Sequence, residues 1–395
     1  GYQQVSSLNL AEIYILNSCS VTQTSDNEAM YLLRHAHSLG LKTILTGCIA
    51  QIEKEKLLEE PYIDYVYGNE DKFRLANLIL QDEVFSVKDL MQSTDFCKVT
   101  LNDTTKTRIS LKIQDGCENF CSYCIIPFVR GKCRSKNPDE VIDEITDLVN
   151  HGYQEVVLTG IHTGNYGVDL DTNFASLLKR VVAIPGLLRL RISSIEITEL
   201  TKDVLDVIRD SSIIVDHMHI PLQAGSNHVL SLMNRKYDLD YYFHKIKEIR
   251  EVRPNMAITT DVIVGFPGES EEDFLETIDT CKKVGFTKIH VFPYSERKGT
   301  KAMELPDHIE PSVKKERARR LLLVSKELEC SYYASFVGSE VEVLVEEEKD
   351  GKSYGHTDNY LHVEIPSVLP HNTFVKVKIQ SVSYPYCIGE VSLLQ

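Results

Sequence analysis

Apolar and polar positions follow three different rhythms along this chain. Up to about residue 95, short apolar runs at 12–16, 42–46 and 62–67 read as strands. Between them, 26–39 and 52–58 carry apolar residues at helical spacing, and Gly40 suits a helix C-cap. This part is expected to be a small α/β layer. A polar linker follows at 98–107. Six strand–helix units come next, with strands at 109–114, 155–159, 188–193, 218–222, 257–264 and 288–293. Asn137 and Pro138 form an N-cap and first-turn pair, and Gly152 closes that helix. Six such units predict an α/β fold built on a partial (β/α)6 barrel, with its active face at the C-terminal strand ends. Residues 311–335 read as a charged helix. After Gly338 the rhythm becomes alternation: Val341, Val343, Val345, then Val375, Val377, Ile379. That predicts a small antiparallel β-barrel. The expected domains are 1–95, 103–335 and 336–395.

Composition changes this picture little. An apolar fraction of 43% and a charged fraction of 26% are ordinary for a globular protein. No apolar run is long enough to span a bilayer, and no secretory signal is visible. The ten cysteines do not form a secreted disulfide pattern, which points to a reducing cytoplasm. A net charge of −15 argues against broad, non-specific nucleic-acid binding, so any RNA attraction must be local. Arg130, Arg134 and Lys136 are the candidate patch, with ion pairing to the chain's own carboxylates as the alternative. A second basic group, Lys314 to Arg320, reads more simply as a solvated helix face.

The chemistry is concentrated in one loop. Cys117, Cys121 and Cys124 form a C-x3-C-x2-C run directly after the first barrel strand. Three thiolates on one loop can hold a 4Fe–4S cube by three irons and leave the fourth open to a substrate. Structural zinc is the alternative, but it wants four ligands, and no second pair lies nearby. Cys19 and Cys48 each end a predicted strand of the N-terminal layer. That arrangement suggests convergence on one spot, although two buried structural cysteines would read the same way. Cys97, Cys133, Cys281, Cys330 and Cys387 show no partner spacing; only Cys133 lies near the candidate site. Gly265-Phe266-Pro267-Gly268 lacks the Lys-Ser/Thr of a phosphate loop and reads as a tight turn.

The three-cysteine motif, with Tyr123 before its last cysteine, resembles the radical S-adenosylmethionine (SAM) superfamily. The likeness extends through Cys124-Ile125-Ile126-Pro127, Leu158-Thr159-Gly160 and Ile192-Ser193-Ser194-Ile195-Glu196. It continues through His217-Met218-His219-Ile220-Pro221-Leu222-Gln223, Asp261–Glu269 and His290-Val291-Phe292-Pro293-Tyr294-Ser295. Together these resemble the methylthiotransferases, and within them the tRNA threonylcarbamoyladenosine enzymes. Gly355-His356-Thr357-Asp358-Asn359-Tyr360 resembles the strand-turn signature of the TRAM domain, an RNA-binding module.

The resemblance implies an enzyme adding a methylthio group to C2 of threonylcarbamoyladenosine at position 37 of tRNA. It would use SAM twice: once to methylate a sulfide, once to generate a 5′-deoxyadenosyl radical. Cys117, Cys121 and Cys124 would ligate the radical 4Fe–4S cluster. Tyr123, Ile263 and Gly265 would flank the adenine of SAM. Thr159 and Gly160 would receive its amino group, and Ser194, Glu196 and Gln223 would supply further polar contacts. Cys19 and Cys48 would hold an auxiliary 4Fe–4S cluster with a third cysteine that this chain lacks. Because it begins at Gly1 in mid-pattern, the expectation is a truncated start. Implied partners are the tRNA anticodon arm and an electron donor such as flavodoxin or ferredoxin. A monomer away from any membrane is expected. Rival readings are an isopentenyl-adenosine enzyme, a ribosomal-protein aspartate enzyme, and a non-catalytic iron–sulfur RNA-binding protein.

Overall fold

A computed structural model describes residues 2–19, 23–93, 96 and 107–392. Cys97 and the expected linker, apart from Thr107, lie outside these residues. The chain divides into two compact units. One comprises Gly1–Val99, Asp115–Arg134 and Ser295–Leu305; the other comprises Thr100–Gln114, Ser135–Tyr294 and Pro306–Gln395.

The first unit is built on a parallel sheet of β1 (Ile13–Ser18), β2 (Lys42–Gly47), β3 (Tyr65–Tyr67) and β4 (Phe85–Ser86), in that order. The helix Gln23–Ser38 buries Ala29 and Leu33, one turn apart on one face. They meet Leu45, Ile49 and Val66 in the core. The expected helix at 52–58 is instead a short α-helix, Cys48–Glu53, running into a 3-10 turn, Lys54–Glu59. The second stretch of this unit, Asp115–Arg134, contributes the helix Ile126–Arg130. Its Ile125 and Val129 pack on Cys48.

The second unit holds the barrel strands β5 (Arg108–Lys112), β8 (Glu155–Thr159), β9 (Arg189–Ile192), β10 (His217–His219), β11 (Ala257–Val264) and β12 (Lys288–Pro293). The short strands β6 (Gln114–Asp115) and β7 (Arg134–Ser135) bracket the cysteine loop in sequence. All barrel pairings are parallel: β5-β8-β9 and β10-β11-β12, linked by the bridges Leu190–Ile214 and Ser194–His219. Parallel strands need helical crossovers, which the signals at Asn137 and Gly152 supply. Asn137 Oδ1 accepts from Asp139 N at 2.8 Å, ahead of the helix Pro138–Asn150.

After the helix Pro311–Ala334 the chain closes a five-stranded barrel from β13 (Glu340–Lys349), β14 (Lys352–Thr357), β15 (His362–Ile365), β16 (Phe374–Ser383) and β17 (Tyr386–Val391). It is antiparallel apart from one parallel pairing, β15 with β17. Alternation marks which face of a strand is buried, not which neighbour it takes.

This small barrel docks on the starts of the larger barrel's strands. Glu155, the first residue of β8, is buried among Arg108, Arg189 and Arg191, with Arg191 Nε at 2.5 Å from Glu155 Oε1. Arg108 pairs with Glu346, and Arg189 with Glu342 at 3.2 Å. Arg191 donates to the carbonyls of Asp358 and Thr357 at 2.7 and 2.9 Å. Its guanidinium lies 3.9 Å from the centre of the Tyr360 ring. The Gly355–Tyr360 signature is therefore committed to the larger barrel. Its neighbouring strand β13 carries five glutamates, a poor surface for phosphate.

Candidate active site

The cysteine loop is held in shape by its backbone. Cys117 N donates to Gly131 O at 3.1 Å, Cys124 N to Cys121 O at 3.0 Å, and Ala302 N to Ser122 O at 2.8 Å. Gly116 adopts φ +79°, and a Cβ there would meet Lys132 O at 1.9 Å, so no other residue fits this turn. Cys117, Cys121, Cys124 and Tyr123 are all half-buried. Among the described residues, no three Cys, His, Asp or Glu side chains are already gathered at metal-ligating positions. Thiolates converge when the metal draws them together, because a preformed site is rare without it. The donor set of three soft sulfurs on one braced loop fits a 4Fe–4S cluster with one open iron.

Cys19 and Cys48 directly follow Ser18 and Gly47, which are register partners on adjacent parallel strands. The two cysteines thus leave the same sheet edge side by side. Ser18 Oγ donates to Thr46 O at 2.8 Å and accepts from Ile49 N at 3.0 Å, tying the two strand ends together. Cys19 is exposed and Cys48 is buried. Cys48 packs on Ile125, the residue after Cys124, within the same compact unit. Of the other cysteines, Cys133 is buried, and burial pushes the Cys281 thiol up to about 12 and Cys387 to about 11.

In the second unit the candidate SAM contacts gather at strand ends. Thr159 closes β8, and Gly160 follows it closely enough to Gln114 that a Cβ would meet Gln114 Oε1 at 3.0 Å. Gln114 Oε1 itself accepts from His162 N at 2.7 Å. Ser194 is exposed and bridges to His219. Gln223 takes a left-handed backbone (φ 65°), with its N–H on Asp261 O at 2.9 Å and its carbonyl accepting from Ile263 N at 2.8 Å. Gly265, at φ +70°, donates to Glu269 Oε2 at 2.6 Å, and a Cβ there would meet Lys314 Cγ at 2.5 Å. Glu269 is in turn paired with buried Arg317. The 265–268 segment is thus a turn, as its sequence suggests. Glu196 is occupied otherwise: it pairs with buried Arg235 and caps the 3-10 turn Ile197–Glu199.

The basic patch takes the ion-pair alternative. Arg134 is 6% and Lys136 1% exposed. Arg134 lies 3.8 Å from Asp115, and Lys136 pairs with Glu144. Half-buried Arg130 stands 3.6 Å from the same Asp115. Arg134 and Lys136 have no face to offer a phosphate, which corrects the expectation that all three grip the anticodon arm.

Sequence reasoning passed over the barrel's interior. Inward positions on β10, β11 and β12 carry His217, His219, Thr259, Asp261 and His290, where apolar side chains usually fill such a barrel. His219 Nε2 stands 3.3 Å from Asp261 Oδ1 and its Nδ1 2.9 Å from Thr259 Oγ1. His217 Nε2 stands 3.2 Å from the same hydroxyl. The carboxylate accepts from His219 Nε2–H, so Nδ1 accepts from the Thr259 hydroxyl, which accepts from His217. Burial, the largest cause, lowers the pKa of His217 and of His290. These imidazoles border a cavity of about 440 Å³ that also reaches Ser193, Lys288, His356 and His362. The available signal was the alternation of polar residues within otherwise apolar strands.

Comparison with known proteins follows the same division. Residues 111–281 match the Radical SAM superfamily, 1–68 an uncharacterized protein family, UPF0004, and 334–391 the TRAM domain. The chain is 39% identical to the threonylcarbamoyladenosine tRNA methylthiotransferase MtaB of Bacillus subtilis, over 99% of this chain and 90% of that protein. It is 37% identical to the tRNA-2-methylthio-N(6)-dimethylallyladenosine synthase of Thermodesulfovibrio yellowstonii, over 96% and 90%. Among solved structures, the radical SAM methyltransferase TsrM of Kitasatospora setae shares the fold with a TM-score of 0.55 at 15% identity. That match covers 71% of this chain and 63% of TsrM.

Proposed function

The chain belongs to the radical SAM methylthiotransferases, and from that premise we propose that it adds a methylthio group to C2 of N6-threonylcarbamoyladenosine at position 37 of tRNA. The observation that carries this reading is the packing of Cys48 on Ile125, which brings a second thiol-bearing sheet edge to the C-x3-C-x2-C loop within one unit. A SAM enzyme that only generated a radical would need one thiol set. Sulfur insertion needs a second place to hold sulfur.

Cys117, Cys121 and Cys124 would hold a 4Fe–4S cluster, and Cys19 and Cys48 two positions of an auxiliary one. With SAM and cluster bound, the first site supplies a 5′-deoxyadenosyl radical able to take hydrogen from an unactivated C–H. The chain's own part is to position. Gly116 lets the loop turn tightly, and the Ser18 hydroxyl fixes the two cysteine-bearing strand ends in register. Gly160 and Gly265 let Gln114 and Lys314 pack directly on the backbone at the strand ends, and Gln223 turns the chain there in a left-handed conformation. Burial of Glu269 beside Arg317 holds the Gly265 turn. A tRNA substrate implies work in the cytoplasm, with a flavodoxin- or ferredoxin-like donor supplying electrons.

The test is nucleoside mass spectrometry of tRNA from cells lacking the gene. Loss of 2-methylthio-threonylcarbamoyladenosine, with its unmethylthiolated precursor accumulating, is expected. Loss of the 2-methylthio-isopentenyl nucleoside instead would move the enzyme to its other tRNA relatives.

A further inference from the structure

The barrel interior holds a polar chamber that none of the cluster or SAM contacts uses. It begins one layer beneath the strand ends. Asp261 is the register partner of His290, and two residues above them Ile263 partners Phe292, beside Gln223. Two strand residues span about 7 Å. A purine lying at the level of Gln223 and Ile263 would therefore point an N6 substituent toward His290.

The chamber has the chemistry for a polar, acidic substituent. Thr259 and Ser193 offer hydroxyls, and His217, His219 and His290 offer imidazole nitrogens. Asp261 already holds His219, and Lys288 is paired with Glu329 at 3.2 Å. His290 differs from its neighbours. It is tilted against His219 at 5.7 Å between ring centres, and no hydrogen bond occupies either of its nitrogens among the described residues. His290 is also solvent-exposed where it borders the cavity, so its nitrogens are accessible to a ligand. The groups facing it are His219 and Asp261 from the neighbouring strands, Lys288 on its own strand and Glu329 from the helix Pro311–Ala334.

The geometry points to His290 as a specificity residue that receives the carboxylate of the base's N6 substituent inside the barrel. This rests on the proposed threonylcarbamoyladenosine reading and deepens it. A carboxylate beside His290 favours the imidazolium and gains a charge-assisted hydrogen bond. An apolar substituent would leave the chamber's donors unpaired, which is how a polar pocket rejects a lookalike.

The test uses the full chain and three anticodon stem-loops differing only at the modified adenosine. One carries the threonylcarbamoyl acid, one its neutral methyl ester, one an isopentenyl group. The readout is the ratio of dissociation constants, by fluorescence anisotropy from pH 6 to 8. The acid is expected to bind roughly tenfold or more tightly than the ester, with the ratio growing as pH falls. His290→Phe should bring the ratio near one, and His290→Gln should leave an intermediate, pH-independent preference. Equal binding of acid and ester by the unaltered chain overturns the assignment, without needing any variant to fold. So does a full, pH-dependent acid preference in His290→Phe. Methylthio product from the isopentenyl stem-loop but not from the acid would instead overturn the functional reading on which this rests.

Discussion

Two neighbouring parts of the larger barrel's interior treat polar groups in opposite ways. At the base, where the small barrel docks, the groups are charged, buried and matched: Glu155 sits among three arginines, two of which also reach Glu342 and Glu346. Next to it, with Arg191 and Tyr360 as shared walls, the groups are imidazoles and hydroxyls around a cavity, and among the described residues His290 has no hydrogen-bond partner. Buried charge survives only when fully paired, and once paired it holds a geometry and has little left to offer a ligand. Neutral imidazoles cost less to bury and keep donors and acceptors in reserve. The charged cluster is therefore a joint, and the imidazole cavity beside it a receptor.

The sharpest way to break this contrast is Glu155→Ala, which strands three arginines in a dry interface. Removing one partner of a buried ionic cluster typically costs ~3–5 kcal/mol. Guanidinium denaturation should show a loss of that order; a change within ~0.5 kcal/mol would mean that the base is wetter than its burial implies.

Tyr360→Ala comes next. It removes the ring under Arg191 and the edge contact to His217, whose ring centre is 4.5 Å away. The expected loss is ~2–4 kcal/mol, combining packing with the cation–π term. The same denaturation series, with limited proteolysis at the helix Pro311–Ala334, should show the small barrel loosening first.

The smallest effect is a pH dependence belonging to the histidines. Burial, the first cause, lowers the pKa of His362 to about 4, and His217 and His290 are also lowered. The unfolded chain then binds protons that the folded one refuses. This contribution is fully present above about 6.5 and is lost as pH falls from there toward 4. Melting temperature should decline across that window, and His362→Gln should make the decline shallower. An unchanged slope would place the titration elsewhere.

How much of this was legible beforehand differs between the same two regions. The strands at 155–159, 257–264 and 288–293 match the expected ones, because each keeps β-branched or aromatic residues on at least one face between turn signals. The strand Phe85–Ser86 is too short to show any rhythm. The cysteine loop stood out because three thiols within eight residues of a non-secreted chain are dense enough to signal a metal site. Glu155, Arg189 and Arg191 did not stand out. A charge at a strand start reads as solvent-facing, and only the docking of a distant segment makes it interior. Arg134 and Lys136 misled for a related reason: their carboxylate partners, Asp115 and Glu144, lie across a loop and a helix start.

The joint at the base also sets an order of events while the protein is being made. Arg108 and Glu346 are separated by 238 residues, whereas Glu155 and Arg191 are 36 apart. At a synthesis rate of roughly 5–20 residues per second, more than ten seconds pass between the appearance of Arg108 and of its carboxylate. Through that interval the nascent barrel carries an unfinished, arginine-rich floor, which only a segment made much later can cover.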